Sequence, residues 1–525
     1  MKKYLKNNDL DILITKFITN CQLLPGSSFF YSWAYRVILY LLVSMPIHVS
    51  AQHARDFNSA AFKNIISLKF DEASQNLKKS REASPGNPNA IFLENYMHFI
   101  QSAIDGDDAS YKYYKANSAK RIETLRNHTE DAALYFQAEM NFHSFLLALY
   151  HQENFQALKK FLQANSQIKH FLKHADNPET GRKLQGMLLI ILSAIPEEYT
   201  WITSLIGLQG DLDDGITMLE DHMQMYESNA PEYLEMLIII AFIKNMFKQD
   251  YLSNFSNLKN LSAEYLENPL FRLVHVISAS KSGHNEEVIR VLKAYHQDQS
   301  EHKICYFDYL YGEASLNRLD INAEPYLQSY IQCSVTDIYL KSAYRKLAWY
   351  CLIQGDTLSF RSYRKKVLES GSMIADVDKQ AYDEFAFPGF PNIDLLKARL
   401  LFDGGYYRQA KLLLLKEETR EGLKDVYQQI EYSYRLARVY HMNNDTGRAV
   451  RLYQLTLKNG IHHPFYYAVF SALQLGTIYE KRGDTENARL YYHVVLDTPE
   501  ESYGFRFHHC AREGIKRLDK ITATQ

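Results

Sequence analysis

A spacing of 39 residues recurs through the carboxy-terminal third, and it leaves few architectures open. Set on Ala398, Ala437 and Gly476, three segments each carry a large residue three places on: Leu401, Tyr440 and Tyr479. Gly405, Asn444 and Gly483 follow, then Ala410, Ala449 and Ala488, then Leu414, Tyr453 and Tyr492. Each column has a physical task. Small residues in the first and fourth let two antiparallel helices approach closely. Large residues in the second and fifth fill the space between hairpins. Gly or Asn in the third ends the first helix in the left-handed conformation. Around the middle segment, Tyr432, Leu436, Val439 and Tyr440 keep the i, i+4, i+7, i+8 spacing of an apolar helical stripe.

Composition agrees with a helical array. The 525 residues exceed what one core supports. Only 22 Gly and 13 Pro are present, which favours long helices and short joints. With Lys plus Arg at 59 against Asp plus Glu at 61, nucleic acid is not an expected partner. A fourth unit is legible near residue 70, where Phe70, Ala73, Leu77 and Pro85 fit a second helix and its closing Pro. Between the two ends the repeats are degenerate but the helical period persists. Phe155, Leu158 and Leu162 form one stripe; Val288, Val291, Leu292 and Tyr295 form another.

The run Leu475-Gly476-x2-Tyr479, followed by Ala488-x3-Tyr492, resembles the tetratricopeptide repeat. Lys397 departs from that pattern, which has Leu there. The resemblance implies an all-α solenoid of helical hairpins in a right-handed superhelix, with a degenerate helical middle region. The expected organisation is 1–51 as a leader, 52–180 as amino-terminal repeats, 181–300 as a middle block, 301–385 as degenerate repeats, and 386–525 as the three 39-residue units. A second resemblance lies in residues 186–219: Gly186, Leu192-Ser193-Ala194-Ile195-Pro196, Gly207-Leu208-Gln209-Gly210-Asp211 and Gly215. That block is similar to one in the eukaryotic tetratricopeptide family of the inclusion-body clearance protein. Glu197 and Leu212 depart from the family pattern. The expected role is a helix-to-helix corner, since Gly207-x2-Gly210 lacks a following Lys and Asp211-x-Asp213-Asp214-Gly215 makes only half a calcium loop.

The amino terminus reads as an export signal. Residues 1–36 are net +3, a short apolar run (Val37 to Val43) follows, and Val49-Ser50-Ala51 precedes Gln52. Cleavage between Ala51 and Gln52 is expected, placing the mature chain in the periplasm or envelope. An uncleaved anchor on a cytoplasmic protein is the alternative. No other segment is long enough to cross a membrane as a helix. Cys305, Cys333, Cys351 and Cys510 form no C-x2-C pair, so zinc is not expected. Buried helical thiols are the expectation for them, with one disulfide among the first three as the alternative. His462-His463 and His508-His509 are expected as surface or capping residues. No Walker, G-x-S-x-G or H-E-x-x-H motif is present, and no catalytic residue, cofactor or metal is expected.

What remains is a binding scaffold of the bacterial cell envelope for protein or peptide partners. An intracellular adaptor stands second and an enzyme or solute-binding protein third. The repeat register assigns one helical stripe to the inner wall: Asn392, Leu395, Arg399 and Phe402, then Glu431, Tyr434, Arg438 and His441, then Phe470, Leu473, Thr477 and Glu480. Aromatic residues and Arg dominate binding hot spots, so this stripe is the expected partner surface. Chaperone-tail binders use Lys and Asn where Leu395 and Arg399 stand, so that ligand is not expected.

Overall fold

The computed structural model describes residues 52–193, 210–248, 250–261, 263–297, 304–373, 375–387, 389–463, 466–498 and 504–524. Residues 1–51 lie outside them, so the leader and Ala51 do too; Gln52 opens the first described helix. The described residues form 25 α-helices and no strand. In chain order they begin with α1 (Gln52–Ile66), α2 (Phe70–Ala83), α3 (Pro88–Asp105), α4 (Asp108–Leu125), α5 (Asp131–Tyr150), α6 (Asn154–His174), α7 (Arg182–Ser193), α8 (Leu212–Met223), α9 (Pro231–Ile243) and α10 (Tyr251–Lys259). The middle holds α11 (Pro269–Lys281), α12 (Asn285–Gln297), α13 (Cys305–Asn317), α14 (Ala323–Cys333), α15 (Leu340–Ile353), α16 (Thr357–Glu369) and α17 (Asp376–Ala386). The last third holds α18 (Ile393–Asp403), α19 (Tyr407–Leu414), α20 (Glu417–Glu421), α21 (Val426–Met442), α22 (Thr446–Gly460), α23 (Tyr467–Lys481), α24 (Thr485–Leu496) and α25 (Gly504–Thr524). Sequential helices pack as antiparallel pairs, giving the all-α hairpin array read from the repeats.

One turn builds eight of the hairpins. A residue with positive φ ends the first helix, and the next N–H bonds back to the carbonyl five residues earlier at 2.8–3.0 Å. This six-to-one bond satisfies a carbonyl that the helix end leaves open. The positive-φ residues are Leu68, Gln152, Gly283, Leu319, Gly355, Gly405, Asn444 and Gly483. At Gly355, Asn444 and Gly483 the following Asp also caps the second helix, accepting the N–H of Ser359, Arg448 and Asn487. The third column of the repeat therefore does what its chemistry requires. In the middle region Gly283, Leu319 and Gly355 stand 36 residues apart, so the turns are regular where the sequence repeat has faded.

The packing columns hold as well. Ala398, Ala437, Ala410, Ala449 and Ala488 are buried, and a Cβ on Gly476 would stand 2.6 Å from the Tyr492 ring. Ala73 and Leu77 are buried in the same way, as are Val288, Val291, Leu292 and Tyr295. In α6 the buried face is Ala157, Phe161, Ala164 and Ile168, rather than the half-buried Phe155, Leu158 and Leu162. Apolar burial made one face with period 3.6 plausible, and the small Ala157 and Ala164 decide which face touches α5.

The amino-terminal half closes on itself. A single apolar core runs from Ala61 to Val274. Asn268 Nδ2 reaches back 202 residues to the Ile66 carbonyl at 2.9 Å. At the centre of this core, Lys183 Nζ lies 3.1 Å from Glu139 and 3.5 Å from Glu235, which also accepts the Tyr96 hydroxyl at 3.1 Å. Farther along, the α11–α12 turn touches the α18–α19 turn. A Cβ on Gly405 would meet the Gly283 carbonyl oxygen at 1.8 Å, and the Tyr406 hydroxyl bonds Glu286 at 2.5 Å.

Two expectations are corrected. Cys305, at the start of α13, and Cys333, at the end of α14, form a disulfide across the open end of that hairpin, with Cα atoms 5.8 Å apart. Helical thiols were expected because spacing alone does not show that two helix ends meet; only Cys351 and Cys510 remain thiols among the described residues. His508 is buried, whereas His462 and His509 are exposed. In the 186–219 block, residues 194–209, including Pro196 and Gly207, lie outside the described residues. Its flanks form a close corner: Gly186 and Gly215 each face the other's carbonyl, where a Cβ would come within 2.8 Å. Asp211 caps α8 through the Asp214 N–H at 2.9 Å.

Candidate partner-binding wall

The expected stripe splits into two groups. Leu395, Tyr434 and Leu473 are buried and offer no side-chain surface, a correction to their expected place on an open wall. Their positions lie one helical turn before the half-buried Arg399, Arg438 and Thr477, and neighbouring helices cover them. Asn392 caps α18 by accepting the N–H groups of Asp394 and Leu395. Thr477 donates to the Leu473 carbonyl of its own helix at 3.0 Å. Glu431 is held by Arg435, and Glu480 by Arg517 and the Tyr492 hydroxyl. His441 stands against Tyr453, and its imidazole is pushed below the usual range by burial. Arg399, Phe402, Arg438 and Phe470 are left, all half-buried and in one neighbourhood.

Those four belong to a longer ladder. Arg438 lies 3.9 Å from the Phe402 ring centre, 5.6 Å from Tyr434 and 6.0 Å from Phe470. Tyr434 in turn packs on Tyr466, Tyr467 and Phe470, and Phe470 on Phe507. In the other direction, Trp349 is flanked by two guanidiniums, Arg399 at 4.5 Å and Arg345 at 4.7 Å. Glu384 ties them together. Its Oε1 accepts Trp349 Nε1 at 2.9 Å, and its Oε2 accepts Arg399 at 3.0 Å and Arg345 at 3.4 Å. Burial alone would raise the Glu384 carboxyl, but Arg399 and Arg345 outweigh it and hold it below the carboxylate range. Beyond Trp349 come Lys346 and Glu313, paired at 3.0 Å, with the Tyr309 hydroxyl 2.9 Å from the same ammonium.

The stripe read from the sequence begins at Asn392, with the wall near Leu310–Tyr311 as the alternative, and names none of Arg345, Trp349, Glu313 and Tyr309. A signal for them exists. Ala398 and Ala437 stand seven residues before Gly405 and Asn444; counting seven back from Gly355 and Leu319 gives Ala348 and Gly312. The residue after each small one is Trp349 or Glu313, in register with Arg399 and Arg438. Glu384 has no such signal, because α17 is an extra helix between two regular hairpins.

Tyr309, Arg345, Trp349 and Tyr434 are buried, so the surface of the ladder is the half-buried rings of Phe402 and Phe470 beside the half-buried guanidiniums of Arg399 and Arg438. Such a surface binds by stacking, apolar contact and charge-assisted hydrogen bonds. The described residues hold no group of three or more His, Cys, Asp or Glu arranged to hold a metal. No described helix is long and apolar enough to cross a membrane.

No family model and no curated protein matches the chain. Among solved structures, the crystal structure of yeast Tom70 is similar at 12% identity and a TM-score of 0.22, covering 89% of this chain and 90% of that one. The structure of Naa15/Naa10 bound to HypK-THB is similar at 14% identity and a TM-score of 0.19, covering 88% and 79%. Scores of that size carry no argument, so the fold rests on the helix pairs and their turns.

Proposed function

We propose that the chain is a non-catalytic helical-repeat scaffold that holds a protein partner as an extended segment along the wall formed by Arg399, Phe402, Arg438 and Phe470. The observation that carries this reading is the ladder itself. Arg399, Phe402, Arg438 and Phe470 come from three successive hairpins, yet they share one stretch of half-buried surface. A segment lying across them buries aromatic faces that the chain leaves partly open, which is how hot spots form. The test is capture of bound proteins from an envelope extract by wild type and by Phe402→Ala with Phe470→Ala. The reading expects the double variant to lose the captured proteins while its melting temperature stays within a few degrees. Equal capture by both would place the binding surface elsewhere.

The same proposal places the scaffold in the bacterial cell envelope. The basic leader with its apolar run and Ala51-Gln52 junction supports export. The Cys305–Cys333 pair supports it independently, because disulfides persist in oxidising compartments and are rare in the cytosol. Sequencing the amino terminus of protein from the periplasmic fraction should give Gln52 as the first residue. Full-length chain confined to the cytosol would sink the envelope placement and leave an intracellular adaptor.

A further inference from the structure

Two carboxylates serve the three guanidiniums of Arg345, Arg399 and Arg438, and they are held very differently. Glu384 is locked by Trp349 at 2.9 Å and Arg399 at 3.0 Å, with Arg345 farther off at 3.4 Å, and three-quarters of its side chain is covered. Asp403 is 41% exposed and reaches Arg438 only at 3.4 Å and Arg399 only at 3.8 Å. A well-formed pair of this kind closes to about 2.7–2.9 Å. Asp403 also ends α18, where the helix dipole disfavours an anion. No neighbouring acid replaces it. Asp378 faces Arg345, but both its oxygens accept backbone N–H groups, from Tyr339 at 2.7 Å and Ser342 at 2.9 Å. Glu431 belongs to Arg435. Arg399 and Arg438 thus face an exposed, loosely held counter-anion set against its own helix.

We propose that Asp403 is a placeholder. A carboxylate on an extended partner peptide displaces it and bridges Arg399 and Arg438, with apolar side chains on either side of it packing on Phe402 and Phe470. This rests on the scaffold reading above and adds what the partner must carry. A carboxylate is the ligand because a carboxylate occupies the place now, and because Arg399 already gives one of its edges to Glu384. Phe402 beneath Arg438 holds that guanidinium in position before the ligand arrives, which reduces the ordering required on binding.

The placeholder role makes two neighbouring substitutions act in opposite directions. The probe is an array of nine-residue peptides with Leu and Phe flanking a central Glu, each paired with the same peptide carrying Gln. The peptide retained best is then measured by fluorescence anisotropy. Wild type should prefer Glu over Gln by about tenfold, as expected for one charge-assisted pair. Asp403→Asn should bind the Glu peptide several-fold more tightly. Arg438→Gln should lose about tenfold and no longer distinguish Glu from Gln, with melting temperatures of both variants near wild type. Equal retention of Glu and Gln peptides, or weaker binding by Asp403→Asn, overturns the placeholder and leaves the scaffold reading intact. An array that retains nothing also overturns it, and the scaffold reading then stands or falls on envelope capture.

Discussion

Gly405 and Gly483 have the same turn geometry, with φ of 82° and 75°, yet a methyl group at each meets different surroundings. At Gly483 nothing lies within 4 Å, whereas at Gly405 the Gly283 backbone is in the way. Gly483→Ala should therefore lose about 1 kcal/mol, the strain of a left-handed Ala. Gly405→Ala should lose about 3 kcal/mol, because strain and a backbone clash add. Denaturant melts of the two variants check the difference, and equal losses would mean that the turns do not touch. A second residue-scale outcome concerns Glu235. Burial, countered only in part by Lys183, raises its carboxyl to about 8, and Glu139, Tyr96 and Tyr135 face the same site. The folded state therefore holds a proton there that the unfolded chain releases near 4.5. Its stabilising contribution is complete below that pH and lost as pH rises toward about 8. Thermal melts should show Glu235→Gln more stable than wild type at pH 8.5, with the gap narrowing toward pH 5. A gap that widens in acid would refute the assignment.

Among the elements, the three 39-residue hairpins were legible because each column is a separate chemical requirement: Ala449 and Ala488 at close approaches, Asn444 at a positive φ, Tyr453 and Tyr492 as fillers. Ala488→Leu should cost about 1–3 kcal/mol by overpacking, readable as a lowered melting temperature. The middle hairpins read only as degenerate repeats for a physical reason. Leu319 holds the left-handed turn position that Gly or Asn usually takes, and Gly283, Leu319 and Gly355 follow one another at 36 residues rather than 39. The turn's hydrogen bond is made by backbone, so it leaves a faint trace in side chains. The wall was half legible. Register located Arg399, Phe402, Arg438 and Phe470, but it also drew in Leu395, Tyr434 and Leu473, because a helical face says nothing about what covers it. Glu384 and the Cys305–Cys333 contact depend on how hairpins sit on one another and were beyond a periodic reading. Because the disulfide closes a 28-residue separation, removing it with Cys305→Ser and Cys333→Ser should lower stability by about 3 kcal/mol. Denaturant melts with and without reductant check this; Cys351→Ser should leave the reductant effect unchanged.

At the scale of the molecule, a solenoid ordinarily couples only neighbouring repeats, so repeats can be added or lost with local effects. Here the Gly283–Gly405 approach and the Tyr406–Glu286 bond stitch turns more than a hundred residues apart. The two ends of the array should then respond differently to a change in length. In a chain lacking Cys305 and Cys333, inserting a second copy of residues 320–355 should break the stitch and lower the melting temperature sharply. Inserting a second copy of residues 445–483 should leave it close to the parent. Equal tolerance would show that the stitch contributes nothing. With the stitch in place, the number of hairpins between the two glycines is fixed by closure, much as the number of staves is fixed in a barrel. Beyond Asn444 no such count applies. A lineage needing a longer reach for a longer partner has one end of this molecule to extend, and the Arg399–Arg438 pair sits just inside the boundary where that freedom begins.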